Sequence, residues 1–316
     1  MERAISIMQL FFPYAHRRQT TVQTKGIRFV HYTSADAAAN ILRTKEVWMR
    51  KSSCMNDYME VEHGLECLSS AYKGERGRRF QQVLNNIFDG ISEEIAALFD
   101  GWQNHLRDET YLMCVSEHDD TEDGFGRLSM WRAYSEGTGV ALVLNNAPFL
   151  APSDALKAYT SPVAYLDDKT FGEELGKIAD GIDANSDVVR ALGRDAITTY
   201  ISYAFKFAAL CTKHPGFKEE REWRVVYSPT LDKSSYLIKE IQVIRGTPQP
   251  IYKIPLRNIP DEGFVGAEIP ELLDRIIIGP SEYPTAMREA FRDLLAEAGV
   301  DDPTNRIYVS SIPLRQ

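Results

Sequence analysis

The spacing of apolar positions divides the 316-residue chain into short strand-like runs and longer helical ones. Ile27, Phe29, Val30 and Tyr32 form a β-branched and aromatic run that predicts a strand over 27–32. Thr33 or Ser34 then caps a helix reaching residue 43, because a hydroxyl there accepts the free amide hydrogens of a first turn and Asp36 suits its positive end. Ala37, Ala38, Ile41 and Leu42 supply the buried stripe of that helix. Val47-Trp48-Met49 reads as a second short strand. Asn56 and Asp57 open a helical stretch running to residue 72, and a longer one covers 77–102 with Phe80, Val83, Leu84, Ile87, Ile91, Ile95 and Leu98 on one face. Further strands are predicted over 111–116, 139–144, 222–227, 275–279 and 306–310, with a short helix over 128–134 and an amphipathic one over 285–297. The pattern implies one α+β domain from residue 27 to 316, preceded by a tail or edge element over 1–26 and enlarged by a helical insertion at about 167–213.

Composition narrows the function classes. Thirty-six basic against 45 acidic side chains leave a net charge of −9, the opposite of the broad positive field of a protein that lives on nucleic acid. Fifteen Tyr, 14 Phe and 4 Trp are incompatible with a largely disordered chain. Cys54, Cys67, Cys114 and Cys211 lie far apart with no paired spacing, which points to reduced thiols in a cytoplasm and to neither a zinc site nor a disulfide framework. The short apolar opening precedes Pro13 and the basic His16-Arg17-Arg18, the reverse of a secretory leader, and no run is long enough to span a bilayer. A cytoplasmic protein without a membrane partner is expected.

The polar signals concentrate in three places. His31 ends a strand just before a helix start, where a side chain can meet a ligand at the helix's positive end, and Tyr32, Thr33 and Ser34 add a ring and two hydroxyls suited to a ribose or phosphate. The commoner role for such a histidine is a satisfied structural donor. Asn56, Asp57 and Glu60 serve either to place a carboxylate beside a polar ligand or simply as a cap with surface acids. In a strand, Glu220, Glu222 and Arg224 share one face, giving either a carboxylate aligned on a sugar or a Glu–Arg ion pair. Trp131 and Tyr134 stand at helical spacing, a pair more often core than cage, with Tyr134 as a stacking surface. The three segments 31–34, 56–60 and 220–224 are expected to converge on one site. A metal reading through His31, Asp57 and Glu222 lacks ligand spacing, and no nucleophile elbow, Walker loop or zinc-protease helix is present.

Taken together, His31-Tyr32-Thr33-Ser34, the stretch Met55 to Glu60, Cys114 to Glu117, Met130 to Tyr134, Phe217 to Arg224, Ile276 to Pro280 and the closing Ser310 to Pro313 resemble an uncharacterised bacterial family filed as domain of unknown function 2971. The likeness covers nearly the whole chain from Ile27 and carries no assigned activity. The order of a His-ended strand, an Ile-Leu helix and a later Glu-x-Glu strand also looks like that of ADP-ribosyltransferases, although His-Tyr-Thr stands where many of those enzymes have His-Gly-Thr. That resemblance implies a mixed, largely antiparallel central sheet with the split of that fold, and NAD as substrate. Glu222 would stabilise the cation left by nicotinamide departure, with Glu220 tuning it. His31, Tyr32, Thr33, Ser34, Asn56, Ser116 and Tyr134 would line the dinucleotide. An acceptor protein or nucleic acid would receive the ADP-ribose, in a toxin or phage-defence setting. The rival expectation is a non-catalytic ligand-binding or interaction module.

Overall fold

The computed structural model describes residues 5–54, 58–134 and 138–313. The chain divides into two compact units, and each is woven from three stretches of sequence. One consists of Met1–Thr21, Lys51–Thr110 and Ser161–Lys218, the other of Val22–Arg50, Tyr111–Thr160 and Glu219–Gln316. The strands in chain order are β1 (Arg28–Ser34), β2 (Glu46–Lys51), β3 (Tyr111–His118), β4 (Gly139–Leu144), β5 (Ala158–Pro162), β6 (Ala164–Tyr165), β7 (Thr212–Lys213), β8 (Glu222–Tyr227), β9 (Ile238–Ile244), β10 (Thr247–Pro255), β11 (Leu273–Ile278) and β12 (Ile307–Val309).

The first unit is helical. Its helices include Tyr58–Lys73, Glu75–Ile87, Ile91–Asp108, Asp168–Ala184 and Arg194–Leu210, with the small parallel pair β6–β7 beside them. The stretch predicted as one helix over 77–102 is two, because Gly90 takes a left-handed φ of 71° that L residues resist and so restarts the chain direction. Phe205 gathers the rings of Tyr72, Phe80 and Phe99 at centroid distances of 5.7, 6.0 and 5.6 Å. Helix Tyr58–Lys73 comes so close to the carbonyl of Ala209 that a Cβ at Gly64 would lie 2.1 Å from that oxygen. The predicted helical segment 167–213 belongs to this unit. The opening residues, expected as a tail or edge element, are helical over Ile7–Phe11 and Pro13–Lys25, with Leu10, Phe11 and Val22 buried.

The second unit is built on a ten-stranded sheet in the order β12-β11-β4-β1-β3-β2-β10-β9, with β8 on β3 and β5 on β8. The β11–β12 pair is parallel, whereas β1 with β3, β1 with β4, β4 with β11, β3 with β8, β2 with β10 and β9 with β10 are antiparallel. The architecture is therefore the expected α+β arrangement on a mixed, largely antiparallel sheet. One face carries Phe29, Leu142, Trp223, Val225, Tyr227 and Ile276. It is covered by Ala38 and Leu42 of helix Ala35–Thr44 and by Phe291, Leu294 and Leu295 of helix Pro284–Glu297. Ser34 caps the first of these helices by accepting the Ala37 amide at 3.2 Å, so of the two candidate caps the serine serves. On the opposite face Val30, Tyr32, Ala141, Val143 and Ile277 pack against Met130 and Trp131 of helix Leu128–Tyr134.

Strand β3 is where the sheet forks. β8 pairs along Tyr111–Ser116 and β1 pairs along Ser116–His118, so the two share Ser116 and must occupy opposite edges. β2 also pairs with β3, and with β8 filling one edge it takes the same edge as β1. β1 thus leaves β3 after Val30, and β2 replaces it.

Candidate functional site

The residues singled out in the sequence distribute themselves around β3. Val30, Ser116 and Glu222 are direct cross-strand neighbours and project from the same face. Tyr32 and Ser34 follow Val30 by the period of two, and Tyr134 packs against the Val30–Tyr32–Trp131 cluster, so Tyr32, Ser34, Ser116, Tyr134 and Glu222 belong to one face. His31 and Thr33 project from the other, the face of Phe29 and Trp223. A single surface holding both the imidazole and the Glu222 carboxylate is therefore not what the register builds. Asn56 and Asp57 lie outside the described residues, and Glu60 falls in the first turn of helix Tyr58–Lys73 of the helical unit.

His31 sits at the fork. Its Nδ1 is 2.9 Å from the carbonyl oxygen of Cys114. The ladder explains why that oxygen is available. The Glu117 amide donates to the Arg221 carbonyl, so the odd residues of β3 bond towards β8 and the even ones, Cys114 among them, face the edge that β1 abandons. The imidazole therefore takes over a backbone bond that the departing strand no longer makes. Burial lowers its pKa from the ordinary value, although the Cys114 contact works the other way. The neutral ring donates from Nδ1, leaving Nε2 as an acceptor with no hydrogen bond among the described residues.

Glu222 and Arg224 form a buried pair. Arg224 Nε donates to Glu222 Oε1 at 2.8 Å and Nη2 to Oε2 at 3.3 Å, a two-pronged contact with both side chains almost wholly out of solvent. The expected alignment of Glu220 with them fails for a backbone reason. Arg221 adopts a left-handed φ of 47°, β8 starts only at Glu222, and Glu220 ends the 3-10 turn Pro215–Glu220. Such a conformation in a residue with a Cβ is costly and persists only where the surroundings impose it.

The imposing group is Arg127, which the sequence reading passed over. Its guanidinium donates to the carboxylate of Glu122 at 3.1 and 2.9 Å, to the Glu117 carbonyl at 2.9 Å, and to the carbonyls of Glu219 and Glu220 at 3.0 and 3.3 Å. Its own amide donates to the Tyr32 hydroxyl at 2.8 Å. One buried residue thereby ties the end of β3, the loop after it and the approach to β8 through its side chain, and the ring of Tyr32 through its amide. Burial pushes the Tyr32 hydroxyl up to about 12, which suits an acceptor that stays protonated. The signal was present in the chain, since Arg127 is the one basic residue besides His118 in the acid- and glycine-rich run 118–127. Tyr32 also meets Trp131 edge-on at 4.9 Å, and Trp131 fits because a Cβ at Gly126 or Gly279 would come within 2.5 or 2.9 Å of its ring.

A second cluster closes the far end of the same strands. Arg28 bonds to Asp274, to Asp120 at 2.6 Å and to Asp123 at 2.8 Å, and Arg275 reaches Asp123 at 2.8 Å. Burial alone would raise the Asp274 carboxyl, but Arg275 and Arg28 hold it below its ordinary value. His118 contacts Asp123 through Nε2 at 2.8 Å, and its buried Nδ1 has no hydrogen-bond partner among the described residues. Burial lowers its pKa.

The fold and this polar face define an α+β sheet protein whose candidate carboxylate is held by an arginine on the same strand. Residues 130–225 match the family described as "Protein of unknown function (DUF2971)", a stretch that takes in Tyr134, Glu222 and Arg224. The resemblance to that family read in the sequence is met over those residues, and the match carries no likeness to ADP-ribosyltransferases. No curated protein and no solved structure matches the chain. Among the described residues no helix is long and apolar enough to cross a membrane.

Proposed function

We propose that this protein is an NAD-consuming, ADP-ribosyltransferase-like enzyme whose reacting face is that of Glu222, Ser116 and Tyr134. The observation that supports this reading most is the placement of Glu222. It is the first residue of β8, directly opposite Ser116 on the central strand, and it is preceded by a left-handed arginine that Arg127 holds in place. A dissociative break of a glycosidic bond needs an oriented carboxylate and a stacked leaving group more than a strong nucleophile. In this reading the Glu222 carboxylate faces the developing positive charge, the Ser116 hydroxyl bonds a ribose oxygen, and the half-buried Tyr134 ring offers the stacking surface. His31 acts from the fork as a positioning residue through Cys114. The acceptor of the ADP-ribose, a protein or a nucleic acid, would meet the polar run 118–126.

The bidentate grip of Arg224 on Glu222 favours a second reading, in which the face is a structural polar network and the protein a non-catalytic ligand-binding module. Nicotinamide release from labelled NAD, measured with the purified protein and cell extracts as acceptor, separates the two. On the first reading wild type releases nicotinamide and Glu222→Gln does not. The folding control is Glu222→Gln combined with Arg224→Met, which removes both charges of the pair together and keeps the melting temperature near wild type. Absence of release with every extract, together with loss of stability in Glu222→Ala, would leave the second reading standing.

A further inference from the structure

We infer that strand β9 is a self-complementary edge through which two copies of this chain pair, antiparallel, about Ile241. Among the described residues β9 pairs with β10 alone, at one end of the strand order. Its direction of free bonding follows from two independent features. The hairpin turn consists of Arg245 and Gly246, both left-handed at φ 50° and 78°, and a two-residue turn of this kind closes on a hydrogen-bonded pair, here Ile244 with Thr247. On β10, Pro248 and Pro250 have no N–H to give, so their partners Val243 and Ile241 stand at non-bonded positions of the ladder. Both features set the same phase. Ile244, Gln242, Glu240 and Ile238 bond inward, and the N–H and C=O groups of Lys239, Ile241 and Val243 point outward, with no partner among the described residues.

The side chains agree with the backbone. Ile241 and Val243 are 68% and 66% exposed, the largest exposures among the large aliphatic side chains of the described residues. They lie on the face that β10 buries through Tyr252 and Ile254, at the point where its cover ends. Edge strands of soluble proteins are ordinarily blunted by inward charges, bulges or prolines, and β9 has neither a bulge nor a proline along Ile238–Ile244. Its charges instead suit a second copy. With Ile241 opposite its symmetry mate, Ile238 faces Ile244, Glu240 faces Gln242, and Lys239 lies over Val243, so no like charges stand directly opposite each other. Glu240 already carries a cation of its own, Lys253 at 2.9 Å, and accepts from Gln242 at 3.0 Å. A register shifted by one step, with Glu240 opposite Glu240, would keep the outward donors in phase but set two carboxylates face to face. Ile241 is thus the centre of an isologous contact in which the outward amides of Lys239, Ile241 and Val243 from each copy bond to the other.

Sedimentation of the full chain from about 1 to about 200 µM should show a monomer–dimer equilibrium, as expected of a small two-strand interface. Ile241→Pro removes an outward donor and leaves the β9–β10 bonds intact, and it should yield monomer throughout with unchanged far-UV circular dichroism. Ile241→Lys should do the same. Under mild oxidation Ile241→Cys should give a covalent dimer, whereas Ile238→Cys, several residues from its own mate in this register, should not. A wild type that stays monomeric over the whole range overturns the inference, whatever other partner the edge serves. A dimer that persists in both Ile241→Pro and Ile241→Lys overturns it equally, and covalent capture at position 238 without capture at 241 overturns the register.

Discussion

The two compact units set their buried cations in different surroundings. In the sheet unit, buried cations are met by carboxylates and backbone carbonyls: Arg224 by Glu222, and Arg127 by Glu122 and three carbonyls. In the helical unit, the buried Lys206 and Lys213 lie over aromatic faces, Lys206 over Tyr203 and Phe207 at 5.5 and 5.8 Å and Lys213 over Phe217 at 4.8 Å. The core of that unit is rich in rings, gathered around Phe205, and Gly64 admits the Ala209 carbonyl. The difference follows from backbone geometry. Strands that part or start irregularly expose carbonyls that a guanidinium fork can satisfy, whereas helices consume their own carbonyls and leave side-chain faces to do the packing.

The comparison is sharpened first by Arg224→Met or Glu222→Gln. Either breaks a buried charge pair, and each should cost about 3–5 kcal/mol in urea unfolding followed by Trp fluorescence. Replacing both residues by Met should recover most of that loss, and a double variant no better than the singles would show that the pair serves more than charge balance. In the helical unit the corresponding weak point is steric. Gly64→Ala should cost about 1–3 kcal/mol, because its methyl meets a backbone oxygen that cannot rotate away. A neutral outcome there would mean that the two helices separate readily and that the rings around Phe205 carry the unit.

Acid should act on the sheet unit through its histidines. His31 and His118 both have pKa values lowered by burial, so near pH 6.5 and below the unfolded chain binds protons that the native state does not. Stability is then fully present above about 6.5 and is lost as pH falls, by up to about 1.4 kcal/mol per pH unit for each group. Urea midpoints at a series of pH values should fall accordingly, and His118→Gln should flatten the slope. The smallest effect is expected at the cluster around Arg28, whose cations and carboxylates back one another up. Arg28→Met should cost up to about 1 kcal/mol, and less in high salt, because Asp120 there is open to solvent and Arg275 still covers Asp123 and Asp274.

Much of the architecture was legible in the chain because its signals are local. The β-branched runs at 27–32, 111–116, 139–144, 222–227 and 275–279, the Ser34 cap and the amphipathic helix at its predicted place all depend on residues within a turn or two of one another. The hairpin of β9 and β10 is hard to read from the chain because polar and apolar side chains mix on both faces of β9, and prolines interrupt β10. The break at Gly90 needed a φ value that spacing does not report.

By itself, then, the sequence determined most of the central strands, the helices Ala35–Thr44 and Pro284–Glu297, the Ser34 cap, and the stock of charges and rings that had to be accommodated, because those depend on short-range periodicity and on side-chain chemistry. Only the tertiary structure decided which faces they share. The register of β3 against β1 and β8 turns His31 away from Glu222, the left-handed turn at Arg221 detaches Glu220 from the strand, and Arg127, a lone arginine in an acidic run, becomes the hub. A one-residue change of register inverts every side chain of a strand, and that register is set by long-range pairing and by whichever buried donor satisfies the carbonyls at the fork.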